Sequence, residues 1–291
     1  MSSHNKNNSY SIIILTYNSD DFIEDCLNSL NKNWPKDTKK EILVIDNCSQ
    51  DKTIEKIKKY DEVKKYYLKK NGGFAKGINF GIKKSGNPKI IIINPDVKIL
   101  PDTIKNLLKC ERENRDKIIG IKSKKRREGI HNTFVKFPSI STIIFDYTNL
   151  RKLVPGDIFH KRHYYLDKKQ VKNKDVDAVS GCFMLIPRKI FQKVGLFDEA
   201  FFMYLEDIDF CLRANKRGFK SFFCNEAKII HHGGGSSKNE DKINHNAWID
   251  SRSYYCQKHF NFYENLLLQP ILLLDSFLIK AILWIKKQKS Q

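Results

Sequence analysis

The chain is short of several patterns that mark large protein classes. It carries 14 glycines and 8 prolines in 291 residues, too few for a fibrous or low-complexity protein. No Cys-x-x-Cys pair occurs, and the seven cysteines are scattered at positions 26, 48, 110, 182, 211, 224 and 256. An odd, scattered set that falls partly in apolar runs reads as buried thiols, neither a zinc site nor a disulfide framework. That usage fits a reducing compartment. The first nine residues are polar and Asn-rich, without the apolar stretch of a secretory signal, so a cytoplasmic location is expected. No G-x-G-x-x-G follows a strand and no G-x-x-x-x-G-K-[ST] is present, which removes the strongest markers of dinucleotide enzymes and P-loop ATPases. No internal repeat occurs.

Charge of one sign is what the chain has in excess. Lys and Arg number 53 against 33 Asp and Glu, a formal net charge of +20. Such an excess attracts polyanions: nucleic acid, an anionic membrane face or phosphorylated ligands. The basic residues are dispersed or lie within residues 122–174, and no zinc-finger, RNA-recognition or basic-zipper pattern appears. A nucleic-acid-binding module is therefore the weaker reading, and lipid or nucleotide phosphates the stronger. With 41% hydrophobic and 30% charged residues the chain buries enough apolar surface to fold.

Apolar runs alternate with helical periods through the first half. Residues 11–16 (SIIILT), 41–46 (EILVID), 63–68 and 89–94 (KIIIIN) read as strands. Helices are expected from Asp21, with Glu24 at capping-box spacing, over 53–60, over 74–85 and from Pro101. Residues 118–121 close the series. Strands separated by such helices predict a mainly parallel α/β sheet, with ligands at the carboxyl ends of the strands. Residues 123–176 are basic and irregular and read as an excursion on the same domain. Strand character returns at 178–186, a helix is expected over 206–216, and two short strands over 221–224 and 228–231. Residues 233–237 read as a flexible loop, and the chain looks helical from residue 243.

Three strand ends carry small polar or acidic groups: Thr16-Tyr17-Asn18, Asp46-Asn47 and Asn94-Pro95-Asp96. A carboxylate such as Asp46 suits a nucleobase imide N–H, and Asp96 suits Mg²⁺ or Mn²⁺. Any one alone reads as a turn residue; together they favour a site. Asn71-Gly72-Gly73 precedes a helix and lets the backbone approach a ligand closely. Glu206, Asp207 and Asp209 crowd one helix start, where repulsion and burial raise a carboxylate toward general-base range; simple helix capping explains them equally. His231-His232 before a glycine loop offers a metal or diphosphate contact, or a structural pair.

Residues 266–285 form the chain's one long apolar segment, about 30 Å as a helix. Asp275 and Lys280 lie mid-segment and Pro270 interrupts it, which disfavours a span. Either the helix lies in a membrane interface, anchored by Trp284, Lys286, Lys287 and Lys289, or it packs on the core or a second subunit.

The ordered motifs SIIILTYN, VIDNCSQD, NGGFAKGIN, IIINPDV, AVSGCFMLIPR, GLFDEAFFMYLEDIDFCLR and IIHHGGGSS resemble family 2 glycosyltransferases, in particular a bacterial rhamnosyltransferase-like branch. The resemblance covers roughly residues 10–237. It implies a GT-A fold over residues 1–237, with 123–176 on the acceptor side; residues 238–291, where the resemblance is weak, are expected to form a helical region that lies on a membrane or packs on the core or a second subunit. It implies inverting transfer from a nucleotide-diphosphate sugar, rhamnose-like by preference, to a glycan or polyprenyl-diphosphate-linked acceptor, usually with Mg²⁺ or Mn²⁺. Galactofuranose, hexosamine and galactose are the alternative donor sugars. By position, Thr16, Asn18 and Asp46 match nucleoside-binding residues, and Asn71, Gly72 and Gly73 the loop beside the donor. Asn94 stands where the D-x-D motif has its first acid, which leaves Asp96 as the implied metal ligand. His231 matches a position completing the metal or diphosphate site. Asp207 matches the catalytic base, and Glu206 an acceptor contact.

Overall fold

Runs of β-branched residues build the centre of the molecule. A computed structural model describes residues 9–124, 130–131, 133–166, 172–233 and 241–289. In the first half β1 (Ser9–Thr16), β2 (Lys39–Asp46), β3 (Val63–Tyr67) and β4 (Lys89–Ile93) are joined by α1 (Ile23–Asn33), α2 (Thr53–Lys58) and α3 (Phe74–Lys84). All four strands are parallel. Next come β5 (Val97–Ile99), α4 (Thr103–Glu113), β6 (Ile118–Lys124), β7 (Ile130–His131), β8 (Phe134–Val135), α5 (Ile140–Phe145) and α6 (Ile158–His163). Two 3₁₀ turns, Asn149–Leu153 and Pro155–Asp157, lie between α5 and α6. The rest is β9 (Lys174–Val176), β10 (Ala178–Val179), β11 (Phe183–Pro187), α7 (Arg188–Val194), α8 (Glu206–Lys216), β12 (Ser221–His231), α9 (Asp241–His259) and α10 (Phe262–Lys289).

The main sheet runs β3-β2-β1-β4-β11-β6-β12-β5, with β7 beside β6 and β9 beside β12. β11 is antiparallel to both β4 and β6, so the sheet is mixed at its middle. Side chains alternate across it. Ile13, Leu43 and Ile92 face one core with α3 and α8, while Ile12, Val44 and Ile91 face another with α1 and α4. Both faces are covered, which explains strands that are apolar throughout. Gly77 lets α3 lie on β1: a Cβ there would meet Leu15 Cδ1 at 2.3 Å.

Several expectations change. α1 has no capping box; Phe22 precedes it without a side-chain cap, and Ser19 O accepts from Phe22 N and Ile23 N. Glu24 instead pairs with Lys59 at 3.0 Å. α4 starts at Thr103, two residues after Pro101, behind Asp102 in a left-handed conformation. The expected strand over 178–186 is broken by a turn at Gly181 and Cys182 into β10 and β11. The two short strands at 221–231 are one, β12, with a register irregularity between Cys224 and Lys228. The expected 233–237 loop lies, beyond Gly233, outside the described residues.

The cysteine reading needs a larger correction. Cys110 on α4 and Cys224 on β12 form a disulfide, with Cα atoms 6.3 Å apart. That separation is within reach of a bridge, although 114 residues intervene. The other five are free, and Cys48 is not fully buried.

α10 is continuous through Pro270. One face docks: Leu268, Leu272 and Asp275 are buried, and Asp275 Oδ2 accepts from Arg252 Nη1 at 2.6 Å. Arg252 itself is fully buried on α9.

Candidate active site

The carboxyl ends of the strands converge on a cleft. Parallel register puts Thr16 beside Asp46, and β4 ends at Ile93, immediately before Asn94. The antiparallel pairing of β5 with β12 sets Val97 opposite His231. That register brings Asp96 to His231, with Oδ1 3.2 Å from Nε2. The other oxygen, Oδ2, accepts from Gly233 N at 3.0 Å.

A first cavity of about 250 Å³ is lined by Thr16, Asn71, Gly73, Asn94, Asp96 and His231, among others. A second, of about 340 Å³, is lined by Glu206 and Asp207, with Asn94 and His231 again in its wall. The two adjoin through these shared residues together with Phe74, Met203 and Tyr204. Residues from five distant chain segments thus meet in one crevice.

Asp46, Asn18 and Gly72 are not among the residues that line the first cavity. Asp46 is fully buried. Its Oδ1 accepts from Thr16 Oγ1 at 2.9 Å and Ser49 Oγ at 2.5 Å, and its Oδ2 from Ser49 N at 2.9 Å. Asn18, at φ 47°, ties two loops: its N donates to Ser49 Oγ, and its Oδ1 accepts from Gln50 N at 2.8 Å. Asp46 therefore braces the wall through three hydrogen bonds, two on Oδ1 and one on Oδ2.

Asn47 does work that the sequence reading did not assign to it. Its amide donates to Asn71 Oδ1 at 2.7 Å and to Gly73 O at 3.2 Å, and its Oδ1 accepts from Gly72 N at 3.1 Å. It clamps the glycine loop to the end of β2. Gly73 is obligatory in its place: φ is +84°, and a Cβ would come within 2.2 Å of Phe202 O. That same oxygen accepts from Phe74 N at 2.7 Å, which joins the glycine loop to the 202–204 loop. The position of Asn47 directly after an acidic strand end was the available signal. Tyr147 and Trp248, which also line the second cavity, gave none.

Asp207 is the second residue of α8 and is held from two sides. Gly181 N donates to its Oδ2 and Ile208 N to its Oδ1, each at 2.8 Å. The turn at Gly181 that breaks the expected strand thus supplies a donor to this carboxylate. Burial raises the Asp207 carboxyl above its ordinary value, and the two backbone donors offset part of the rise. Glu206 is pushed well above its ordinary value by burial and then by the charge of Asp207. Its Oε2 is buried without a hydrogen-bond partner. Asp209 points away from the cavity: burial opposes its ionisation, but His259, Arg213 and Lys258 outweigh it and hold the carboxyl at about 2. The three acids of the helix start therefore divide into two cavity groups and one structural anchor.

Asp96 and His231 fit a divalent cation in a limited sense. They offer one hard carboxylate oxygen and one imidazole nitrogen, and a diphosphate with water supplies the remaining oxygens in sites of this kind. Among the described residues the only cluster of three potential ligand atoms is Cys110, Cys224 and Glu226, whose sulfurs are bonded to each other.

The sequence matches the profile of Glycosyl transferase family 2 over residues 11–195. The chain belongs to this family. A second profile, Glycosyl transferase family group 2, matches residues 133–284. A low-salt glycan biosynthesis hexosyltransferase of Haloferax volcanii is 27% identical over 227 residues, covering 76% of this chain and 66% of the relative. An N-acetylglucosaminyl-diphospho-decaprenol L-rhamnosyltransferase of Mycobacterium tuberculosis is 25% identical, over 76% of this chain and 75% of its own. The rhamnosyltransferase WbbL of Escherichia coli is 25% identical over 233 residues, 76% of this chain and 82% of its own. The chain spans just under two thirds of the Haloferax relative. Among solved structures, S. aureus TarS in complex with UDP-GlcNAc superposes with a TM-score of 0.55 at 19% identity, over 91% of this chain and 70% of that one. GalNAc-T7 with UDP, GalNAc and Mn²⁺ superposes at 0.59 and 17% identity, over 77% and 44%. The fold is the GT-A fold implied by the sequence motifs.

Proposed function

We propose that this chain is an inverting glycosyltransferase that moves a sugar from a nucleotide-diphosphate donor to a hydroxyl of a glycan or polyprenyl-diphosphate-linked acceptor. One observation carries the reading: the cavity of Asp96 and the cavity of Asp207 share Asn94 and His231 as a common wall. A donor in the first cavity then presents its anomeric carbon toward a base in the second.

The roles follow from the chemistry of each group. Asp207, raised by burial yet still hydrogen-bonded, takes the proton from the acceptor hydroxyl. The freed oxygen attacks the anomeric carbon, and the bond to the diphosphate breaks on the opposite face. One carboxylate suffices because a nucleoside diphosphate leaves without protonation, unlike the alcohol released by a glycosidase. Glu206, its carboxyl raised by burial and by the charge of Asp207, contacts the acceptor. Thr16, Asn71 and Gly73 line the donor side; Asn18, Asp46 and Gly72 hold that side in shape. Asp96 and His231 would hold Mg²⁺ or Mn²⁺, which neutralises charge on the leaving diphosphate.

A rhamnose-like donor is favoured by the named activities of the mycobacterial and Escherichia coli relatives. Hexosamine is the competing donor, supported by the GlcNAc transferase TarS, 33% identical over 120 residues. The domain reading keeps residues 1–237 as the transferase body and 238–291 as a helical region, although Ile243 and Asn244 of α9 line the first cavity. A location at the inner membrane surface is supported by α10: Phe262–Ile282 is apolar and long enough to cross a bilayer by length and composition. With Asp275 docked on Arg252, a helix lying along the interface suits it better than a span.

The test is a donor panel (dTDP-rhamnose, UDP-GlcNAc, UDP-galactose and UDP-galactofuranose) read by nucleotide release, with Mn²⁺ and with chelator. One donor is expected to turn over and to slow in chelator. Failure of every donor to bind would refute the proposal; equal turnover in chelator would remove the cation.

A further inference from the structure

A third cavity lies beside the second. It has a volume of about 410 Å³ and is lined by Tyr147, Lys152, His245, Trp248, Asp275 and Ile279, among others. Tyr147 and Trp248 belong to both. Their rings pack edge to face with centroids 4.9 Å apart, and Tyr204 meets Trp248 on another side at 5.9 Å. The partition between the Asp207 cavity and the third cavity is therefore aromatic. Tyr147 is tied in place: its OH bonds His163 Nε2 at 3.1 Å, and Arg252 Nη1 donates to Tyr147 O at 2.5 Å.

The other side of the third cavity is α10. Ile279 and Ile282 line it. The outer face of that helix carries Leu266, Leu273, Leu274, Phe277, Leu278 and Trp284, all exposed. These positions recur at three and four residues and make one apolar stripe down the helix. The neighbouring 149–162 segment adds Leu153, 76% exposed, and Ile158, 60% exposed. The same segment carries the exposed cations Lys152, Lys161 and Arg162. An exposed apolar stripe on α10, with Lys152 in the cavity that Ile279 and Ile282 line, suits an anionic lipid surface.

The carboxylates of the cavity do not cancel its cation. Asp146 is taken up by His160 Nδ1 at 2.8 Å and by Arg151. Asp275 is taken up by Arg252 and by Asn149 N at 2.8 Å. Lys152 makes no hydrogen bond or ion pair among the described residues.

We propose that the third cavity is the doorway for a lipid-linked acceptor: a polyprenyl diphosphate lying in a bilayer against α10, its diphosphate at Lys152 and its sugar end passing Tyr147 and Trp248 toward Asp207. This rests on the glycosyltransferase reading and adds to it the route of the acceptor. Aromatic faces at the partition offer flat apolar surface to a sugar ring. The apolar stripe takes the lipid chain, and the cation takes the charge at the point where chain and sugar join.

The probe is decaprenyl diphosphate at low mole fraction in phosphatidylcholine vesicles, compared with vesicles of matched charge made with phosphatidylglycerol and with free inorganic diphosphate. Co-sedimentation of the full chain measures affinity. The expected result is at least a tenfold preference for the polyprenyl diphosphate vesicles. Lys152→Glu should abolish the preference, and Lys152→Arg should keep it. Leu273→Asp combined with Phe277→Asp should weaken binding to both vesicle types, with UDP affinity and melting temperature retained as the check on folding. Equal binding to the two vesicle types, an unchanged preference in Lys152→Glu, or equally tight capture of inorganic diphosphate would overturn the proposal. Failure of the transferase reading looks different: no nucleotide sugar binds the wild-type chain, while any lipid preference persists.

Discussion

Replacing Gly73 by alanine tests the junction on which the cleft depends. The backbone there has φ 84° and ψ 178°, a region open essentially to glycine alone, and an alanine in it costs about 1–3 kcal/mol. The added Cβ would also lie 2.2 Å from Phe202 O, which accepts from Phe74 N. Separating the two strands of chain leaves that buried N–H unpaired, for about another 1–3 kcal/mol. Gly195 is a matched control. Its φ is 89° and its ψ 179°, and a Cβ there meets nothing within 4 Å. Gly195→Ala should therefore show the backbone cost alone. At roughly 2 °C per kcal/mol for a chain of this size, Gly195→Ala is expected to melt about 2–6 °C below wild type, and Gly73→Ala about 4–12 °C below. Differential scanning calorimetry of the two variants reads the difference, and UDP titration reads its consequence for the donor side. Identical melting of the two variants would refute the steric account.

Other residues give further expectations. Glu206 has its native carboxyl raised, so its contribution to stability is complete below its unfolded value and declines as pH rises toward the native one. Glu206→Gln removes that decline; its melting temperature relative to wild type should rise between pH 5 and pH 8, and a constant difference would count against a protonated Glu206. Asp209 is the opposite case. Held at about 2 by His259, Arg213 and Lys258 against its burial, it contributes about 2 kcal/mol above its unfolded value, lost as pH falls toward 2. Asp209→Asn should lower the urea midpoint at pH 7, with the gap to wild type narrowing below pH 4. Asp96→Ala should weaken UDP affinity in Mn²⁺ and leave it unchanged in chelator; calorimetric titration under both conditions checks this.

The strands were legible because the isoleucine-rich runs of β1 and β4 are buried on both faces and have no helical period to compete. α8 was legible to the residue, since its acids and apolar positions mark one start and one face. What sequence could not convey was register and direction. The meeting of Asp96 with His231 depends on β5 running antiparallel to β12, a pairing between segments more than 130 residues apart. The bond between Cys110 and Cys224 depends on α4 lying over β12. Asp46 showed the opposite limit. An acid at a strand end reads as a ligand group, and no pattern in the sequence signals that Ser49, three residues on, turns back and donates to both of its oxygens. The division among Glu206, Asp207 and Asp209 was open for a similar reason: besides Arg213 one turn on, it is the packing of α9, which brings Lys258 and His259 to Asp209, that separates the anchor from the two cavity acids.

The central claim is that Asp207 removes the acceptor's proton beside a donor bound in the Asp96 cavity. Single-turnover transfer by Asp207→Asn, with the donor that the panel identifies, tests it most directly. The account predicts a loss of about 10²–10⁴-fold in the rate of transfer, with nucleotide affinity within a factor of two of wild type. In the wild-type chain the rate should rise with pH through the elevated Asp207 value, and the variant should lose that rise. Transfer by Asp207→Asn at close to the wild-type rate would contradict the account.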